Sequence, residues 1–333
     1  MKSSVFFFFL MIFFVASFWN VLLAQDGQKT PKPKVILDAD LDSDVDDAGA
    51  LAMLLNLHKA GTIELIGVIV TSDDPFAPVC ASAIHQFYGL PYIPVGFLKG
   101  QETLKNHSRY TRQIAEEYPA GIQSHEEAAD AVALYRKLLA EADDKSVTIV
   151  TIGHLTSFSR LLQSAPDSIS SLDGNRLTHK KTDKWLCMGG QYPSGKEANF
   201  YRPDPLSTVY CVNHWEKEIV FCGWEVGNLV ITGDLKLKNM LGLKHPVYRA
   251  YELYNNFAGR PSWDQLAVYL LLDQFSDYFS TVAGRCVVDP DGVNRWENNP
   301  EGLHWYIVLG PVPAGEKVSA HINNLMAGNV GEN

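Results

Sequence analysis

Six carboxylates fall within ten residues of this chain, at Asp38, Asp40, Asp42, Asp44, Asp46 and Asp47. Like charges at this density cannot all stay ionised without a compensating partner. A hard divalent cation provides one, and Ca²⁺ takes roughly six to eight oxygen ligands in a flexible geometry. The run begins where a short apolar segment, Val35-Ile36-Leu37, ends, and it finishes where a helical pattern starts. In open α/β sheets ligands bind beyond the carboxyl ends of strands, so this is a suitable place for a site. Asp46 and Asp47 also fall in the first turn of the expected helix, where the dipole favours negative charge. A solvated acidic loop is the plainer alternative; the apolar strand before the run and the helix after it favour a metal or catalytic site.

Two other cation or phosphate motifs fit poorly. An EF-hand loop needs Gly at its sixth position and Glu at its twelfth. Counted from Asp38 those positions hold Ser43 and Gly49; counted from Asp40 they hold Val45 and Leu51. The pair Asp38-x-Asp40 is similar to that of aspartate-nucleophile phosphatases, but Leu41 and Asp42 follow where that pattern has a hydroxyl residue.

The elements that must position these groups can be read from apolar patterning. Residues 35–37, 65–70, 147–152, 185–188 and 219–222 are short apolar runs bounded by polar or Gly residues. Such runs suit strands buried on both faces of a parallel sheet. Leu51, Leu54, Leu55 and His58 recur at helical spacing, as do Ala128, Ala131, Val132, Tyr135, Leu138 and Leu139. Segments 76–88, 155–163 and 204–214 are shorter helix candidates. Strand–helix alternation with short connections implies an α/β fold, a mostly parallel sheet flanked by helices in an open, Rossmann-like arrangement. Segment 99–125 reads as an irregular loop or flap. Segment 232–262 lacks strand patterning and reads as helical with Pro breaks.

The 333 residues carry a formal net charge of −10, with 46% hydrophobic and 20% charged residues. That composition is ordinary for a globular chain and sets disordered, collagen-like and coiled-coil classes aside. The acidic balance argues against nucleic acid as a partner, since phosphate binding needs a Lys/Arg surface. Lys2, the apolar run from Val5 onward and Ala24 before Gln25 read as a signal peptide over residues 1–24, with an uncleaved membrane anchor as the alternative. Residues 25–33 read as a polar, Pro-bearing linker, and 34–333 as one domain. This implies a periplasmic or secreted protein, free of the membrane once the leader is cleaved. Five Cys at wide spacing suggest neither a zinc site nor a redox pair. The sequence leaves open a homo-oligomer and any disulfide pairing.

Taken in order, the motifs resemble the nucleoside hydrolase family, the inosine–uridine-preferring nucleoside N-ribohydrolases. That family opens with Asp-x-Asp-x-Gly-x-Asp-Asp at the end of its first strand. Here Asp38-x-Asp40 and Asp46-Asp47 stand two residues further apart, a spacing similar to that of a secreted bacterial branch. Ser72-Asp73-Asp74-Pro75 follows the second run, where the family has an Asn. Thr151-Ile152-Gly153-His154-Leu155-Thr156 resembles the strand-end loop that lends a carbonyl to the metal. Met188-Gly189-Gly190 and Glu197-Ala198-Asn199 resemble the Met-Gly-Gly and Glu-Phe-Asn elements, and Trp263-Asp264 resembles the late His-Asp or Trp-Asp pair. The order holds from about residue 34 to 275.

The resemblance implies that Asp40, Asp47, Asp264 and the Ile152 carbonyl hold Ca²⁺, and that Asp40 takes a proton from the attacking water. It further implies that Asp46, Asp74, Glu197 and Asn199 hold the ribose and that Trp263 stacks on the base. The implied reaction is Ca²⁺-dependent hydrolysis of a ribonucleoside to ribose and free base. Trp263 stands where a His often protonates the leaving base, so the alternative is a catalytically impaired, Ca²⁺-dependent nucleoside or sugar binder. His125, His154 and His304 are the other conceivable acids. Each site residue also has a plain structural reading. Asp264 could cap the helix after it, Asp74 could serve a turn before Pro75, and Glu197 and Asn199 could lie on the surface.

Overall fold

Each of the five apolar runs forms a strand in the computed structural model, which describes residues 32–100 and 108–331. In chain order the strands are β1 (Lys34–Ala39), β2 (Glu64–Val70), β3 (Val95–Phe97), β4 (Ala129–Asp130), β5 (Val147–Thr151), β6 (Thr182–Met188), β7 (Ser194–Gly195), β8 (Ile219–Cys222), β9 (Ile231–Thr232), β10 (Arg260–Pro261), β11 (Phe279–Val288), β12 (Asn294–Asn298) and β13 (His304–Leu309). Eleven of them make one sheet in the order β4-β3-β2-β1-β5-β6-β8-β13-β11-β12-β7. From β4 to β13 every neighbour pair is parallel. The expected α/β architecture, a mostly parallel sheet flanked by helices, is therefore the observed one. β1 sits between β2 and β5, with Asp38 level with Ile69 and Thr151. The ends of β1 and β5 therefore lie side by side, as a shared site requires.

The acidic run leaves β1 and enters the helix Asp46–Ala60, which is buried without interruption from Asp46 to Leu57. Burying each of its Leu side chains contributes about 1.5–3 kcal/mol. The helix packs against the helices Trp263–Tyr269 and Ala314–Ala327. Gly49 permits this approach: a Cβ there would lie 2.6 Å from Gln265 Nε2 and 2.8 Å from both Tyr251 Oη and Met326 Sδ. Helices also form at Ala77–Phe87, Ala131–Glu141, Thr156–Leu162 and Pro205–His214, close to the expected spans. Residues 33–333 make one compact unit. The leader expected at 1–24 and most of the linker lie outside the described residues. All five cysteines are buried and unpaired. Among the described residues no helix is long and apolar enough to cross a membrane.

Three regions differ from the sequence reading. Within 99–125, residues Thr111–Glu117 form a helix, with Thr111 and Ile114 buried against the body. Segment 232–262 is helical at Leu235–Met240 and Pro246–Asn255, but its ends pair as the antiparallel ribbon β9–β10. That pairing brings Thr232 opposite Arg260, a long-range match that short polar strands do not announce. The antiparallel extension β11–β13 has no counterpart in the sequence pattern. Exposed and buried positions mix along β11, so it shows neither a solid apolar run nor strict alternation.

Candidate active site

The acidic residues end up on three different elements and share one cavity of about 340 Å³. Asp40 follows β1, Asp46 and Asp47 open the helix Asp46–Ala60, and Asp264 opens the helix Trp263–Tyr269. Backbone amides hold the loop in shape. Leu41 N donates to Asp47 Oδ1 at 3.1 Å, and Asp42 N donates to Asp40 Oδ1 at 3.2 Å. Leu41 has φ of 48°, a left-handed conformation unusual for a branched side chain. Such strained positions persist where the surroundings over-determine them, commonly at functional sites. Asp264 N donates to Asp46 Oδ2 at 3.2 Å, joining two helix N-termini 218 residues apart. Asp264 is not the cap of its helix; Ser262 occupies that position and makes no side-chain cap bond. Gly153 brings the loop after β5 against Asp40: a Cβ there would lie 2.7 Å from Asp40 N.

Burial and mutual repulsion dominate the electrostatics. Oxygens of Asp44, Asp46, Asp47 and Asp264 all lie within 4.8 Å of one another. Burial first, then neighbouring carboxylates, push Asp46, Asp47 and Asp264 well above the usual carboxylate range. Asp40 is pushed up to about 7, by burial first and then by Asp42 and Asp44. Asp38 is pushed up to about 8 by burial, against the hydrogen bond that Tyr135 Oη donates to its Oδ2 at 2.7 Å. Asp46 Oδ1 is buried with no hydrogen-bond partner. Clustered carboxylate oxygens, one of them without a donor, fit a hard divalent cation. The cluster shares Asp47 and Asp264 with the expected ligand set; Asp44 and Asp46 join them, while Asp40 and Ile152 line the same cavity.

The other wall of the cavity carries Ile152, Met188, Glu197, Asn199, Trp224 and Trp263. Glu197 is buried and caps the short helix Ala198–Tyr201, accepting from Asn199 N at 2.9 Å and from Gly190 N at 3.0 Å. Burial pushes its pKa up to about 7, against those backbone bonds. Asn199 Nδ2 donates to the Ile152 carbonyl at 3.1 Å, so the polar segment 197–199 reaches the end of β5. Trp263 Nε1 donates to the Trp224 carbonyl at 2.9 Å, which ties the Trp263 indole to the backbone at Trp224. Asp74 lies elsewhere. Its Oδ2 accepts from Thr111 Oγ1 at 2.6 Å and its Oδ1 from Phe76 N at 2.9 Å, in a second cavity. His125, His154 and His304 do not line the acidic cavity. Burial lowers His154 and His304 to about 4.

Sequence reasoning assigned no role to Asp44, Arg202, Trp224 or Arg260, all of which line this cavity. Asp44 was visible within the acidic run. Arg260 pairs with Asp44 and stacks on Trp263, its guanidinium 4.8 Å from the ring centre. Nothing local to Gly259-Arg260-Pro261 signals that pairing, because it depends on the β9–β10 ribbon.

Residues 35–304 match the family model described as inosine-uridine preferring nucleoside hydrolase. The chain belongs to that family. The span includes every acidic residue of the cavity and both tryptophans on its wall. Solved structures share the fold. A plant nucleoside hydrolase, PpNRh1, superposes with a TM-score of 0.65 at 19% identity, covering 89% of this chain and 99% of that one. An inosine-guanosine nucleoside hydrolase gives 0.65 at 16% identity, covering 89% and 98%. The type III effector XopQ, solved with adenosine diphosphate ribose, gives 0.65 at 14% identity, covering 94% and 98%. No curated protein matches this chain by sequence search.

Proposed function

We propose that this protein hydrolyses the N-glycosidic bond of a ribonucleoside, releasing ribose and free base, with Ca²⁺ as its metal. The observation that carries the reading is the convergence of Asp40, Asp46, Asp47 and Asp264 on one cavity at the carboxyl edge of a parallel sheet. A divalent ion held by Asp40, Asp47, Asp264 and the Ile152 carbonyl would keep these carboxylates ionised and make nearby water more acidic. Asp40, oriented by the Asp42 amide, accepts one proton from the attacking water. The water oxygen bonds to the anomeric carbon as the C–N bond breaks, and the departing base nitrogen takes its proton from solvent. Asp46, Glu197 and Asn199 hold the ribose hydroxyls. The negative charge of Asp46 and Glu197, with that of Asp40, favours an oxocarbenium-like transition state. Trp263 stacks on the base, with Trp224 beside it.

One observation favours a second reading, a binder without turnover: among the described residues no His, Lys or Tyr lines the cavity to protonate the base. Incubating the protein and Ca²⁺ with inosine, uridine, adenosine and nicotinamide riboside, and following reducing sugar, separates the two. Release of ribose supports hydrolysis. Ligand binding without release overturns it. Export by the leader expected at 1–24 is part of the proposal; an exported protein beginning at Gln25 supports it, and retention of Met1 on that protein counts against it.

A further inference from the structure

The acidic cavity has a basic neighbour. Arg109, Thr111, Arg112 and Asp74 border a second cavity of about 390 Å³. A hydrogen-bond chain and one aromatic ring link the two. Ser108 N donates to Asp42 Oδ1 at 2.9 Å, and Asp42 N in turn holds Asp40. The ring of Tyr254 carries the Arg109 guanidinium at 5.9 Å and that of Arg260 at 5.6 Å. Arg260 lines the acidic cavity and Arg109 the second, so the Tyr254 ring lies against one arginine of each.

The two arginines of the second cavity are available for an anion. Arg112 lies over Phe76 at 4.6 Å, and neither it nor Arg109 has a carboxylate partner among the described residues. Arg136, Arg249, Arg260 and Arg295, by contrast, each have one. Thr111 and Phe76 donate to the two oxygens of Asp74, and neither arginine does. Stacked guanidinium groups keep their N–H edges free for bidentate contact with phosphate oxygens. A neutral nucleoside makes no use of such groups.

We propose that this second cavity binds the phosphate or diphosphate of a riboside whose ribose occupies the acidic cavity, so that the preferred substrate is a nucleotide. This rests on the hydrolase reading above. The test compares adenosine, adenosine 5′-monophosphate and adenosine 5′-diphosphate with Ca²⁺-loaded protein, wild type and the R109Q/R112Q double variant, by release of adenine. Wild type is expected to favour the nucleotides at least ten-fold in kcat/KM. The double variant is expected to lose at least ten-fold more on the nucleotides than on adenosine. Raising salt should erode the same preference. Efficient adenosine turnover with no gain from phosphate overturns the inference and leaves the function intact. If no riboside is hydrolysed, the function reading fails, and equilibrium binding decides the inference alone. Calorimetry should then show the monophosphate binding more tightly than adenosine in wild type but not in the double variant; equal binding overturns it. Inorganic phosphate binding as tightly as the monophosphate also overturns it, because the two cavities would then not act on one molecule.

Discussion

Asp264→Asn separates the charge of the acidic cavity from its shape, because it keeps the side chain's size and removes its ionisation. The carboxylate oxygens of Asp44, Asp46, Asp47 and Asp264 lie within 4.8 Å of one another. At that distance and an effective dielectric near 20, each ionised pair costs about 3.5 kcal/mol. In metal-free protein, burial and these neighbours hold Asp264 well above the usual carboxylate range. A folded pKa raised above the unfolded one gives stability that is complete below the unfolded value and is lost as pH rises through the folded value. Metal-free wild type should therefore lose stability as pH rises above the ordinary carboxylate range, and the variant should lose less. Melting temperatures are expected to match most closely at about pH 4 and below, with the variant higher near about pH 9. Ca²⁺ should reverse the order. A hundred-fold excess over Kd stabilises wild type by about 2.7 kcal/mol, or roughly 5 °C in a domain of this size. The variant, with one ligand fewer, should gain less than half of that. Scanning calorimetry after chelation, with and without added Ca²⁺, reads both effects. Equal Ca²⁺ shifts in the two proteins would refute the reasoning, as would a metal-free variant that melts far below wild type at high pH.

Asp40→Asn should lower kcat for base release by about 10²–10⁴, since it removes a general base and keeps the side chain's shape, and as the loss of a proposed ligand it should also shrink the Ca²⁺-dependent melting shift. Retained turnover would mean that another group takes the proton. Gly153→Ala places a Cβ 2.7 Å from Asp40 N and 2.9 Å from Thr71 Cγ2. It should cost about 1–3 kcal/mol in denaturant unfolding and lower activity through Asp40, whereas a silent substitution would show that the loop yields freely. Asp167 is held down to about 2, first by its hydrogen bond from Arg136. Its contribution is present above the unfolded pKa and is lost as pH falls through the folded one, so Asp167→Asn should flatten the acid limb of the stability profile between about pH 4 and pH 2. An unchanged limb in acid titration followed by circular dichroism would contradict this.

The parts of the fold that could be read directly are those built from local patterning. Val35-Ile36-Leu37 and Ile219–Cys222 are buried on both faces, so their residues are apolar in unbroken runs. β11–β13 could not be read in this way, because each residue there answers to a neighbouring strand rather than to its own sequence neighbours. The acidic run was legible as a site because its six carboxylates are contiguous. Asp264 and Asn199 were legible only through family resemblance, as their own surroundings look like a helix start and a polar loop.

By itself the sequence determined the strand and helix alternation, the acidic loop between a buried strand and a helix, and the resemblance that places the chemistry. Contiguity is what makes such features readable: the residues involved touch because they are bonded neighbours. Tertiary structure alone decided which distant groups complete the cavity. It set Asp264 against Asp46 across 218 residues, brought Asn199 to the Ile152 carbonyl, and paired Arg260 with Asp44. It also moved Asp74 into a cavity with Arg109 and Arg112. The perturbed carboxylates belong to the same level, because desolvation and repulsion depend on burial and on distances through space.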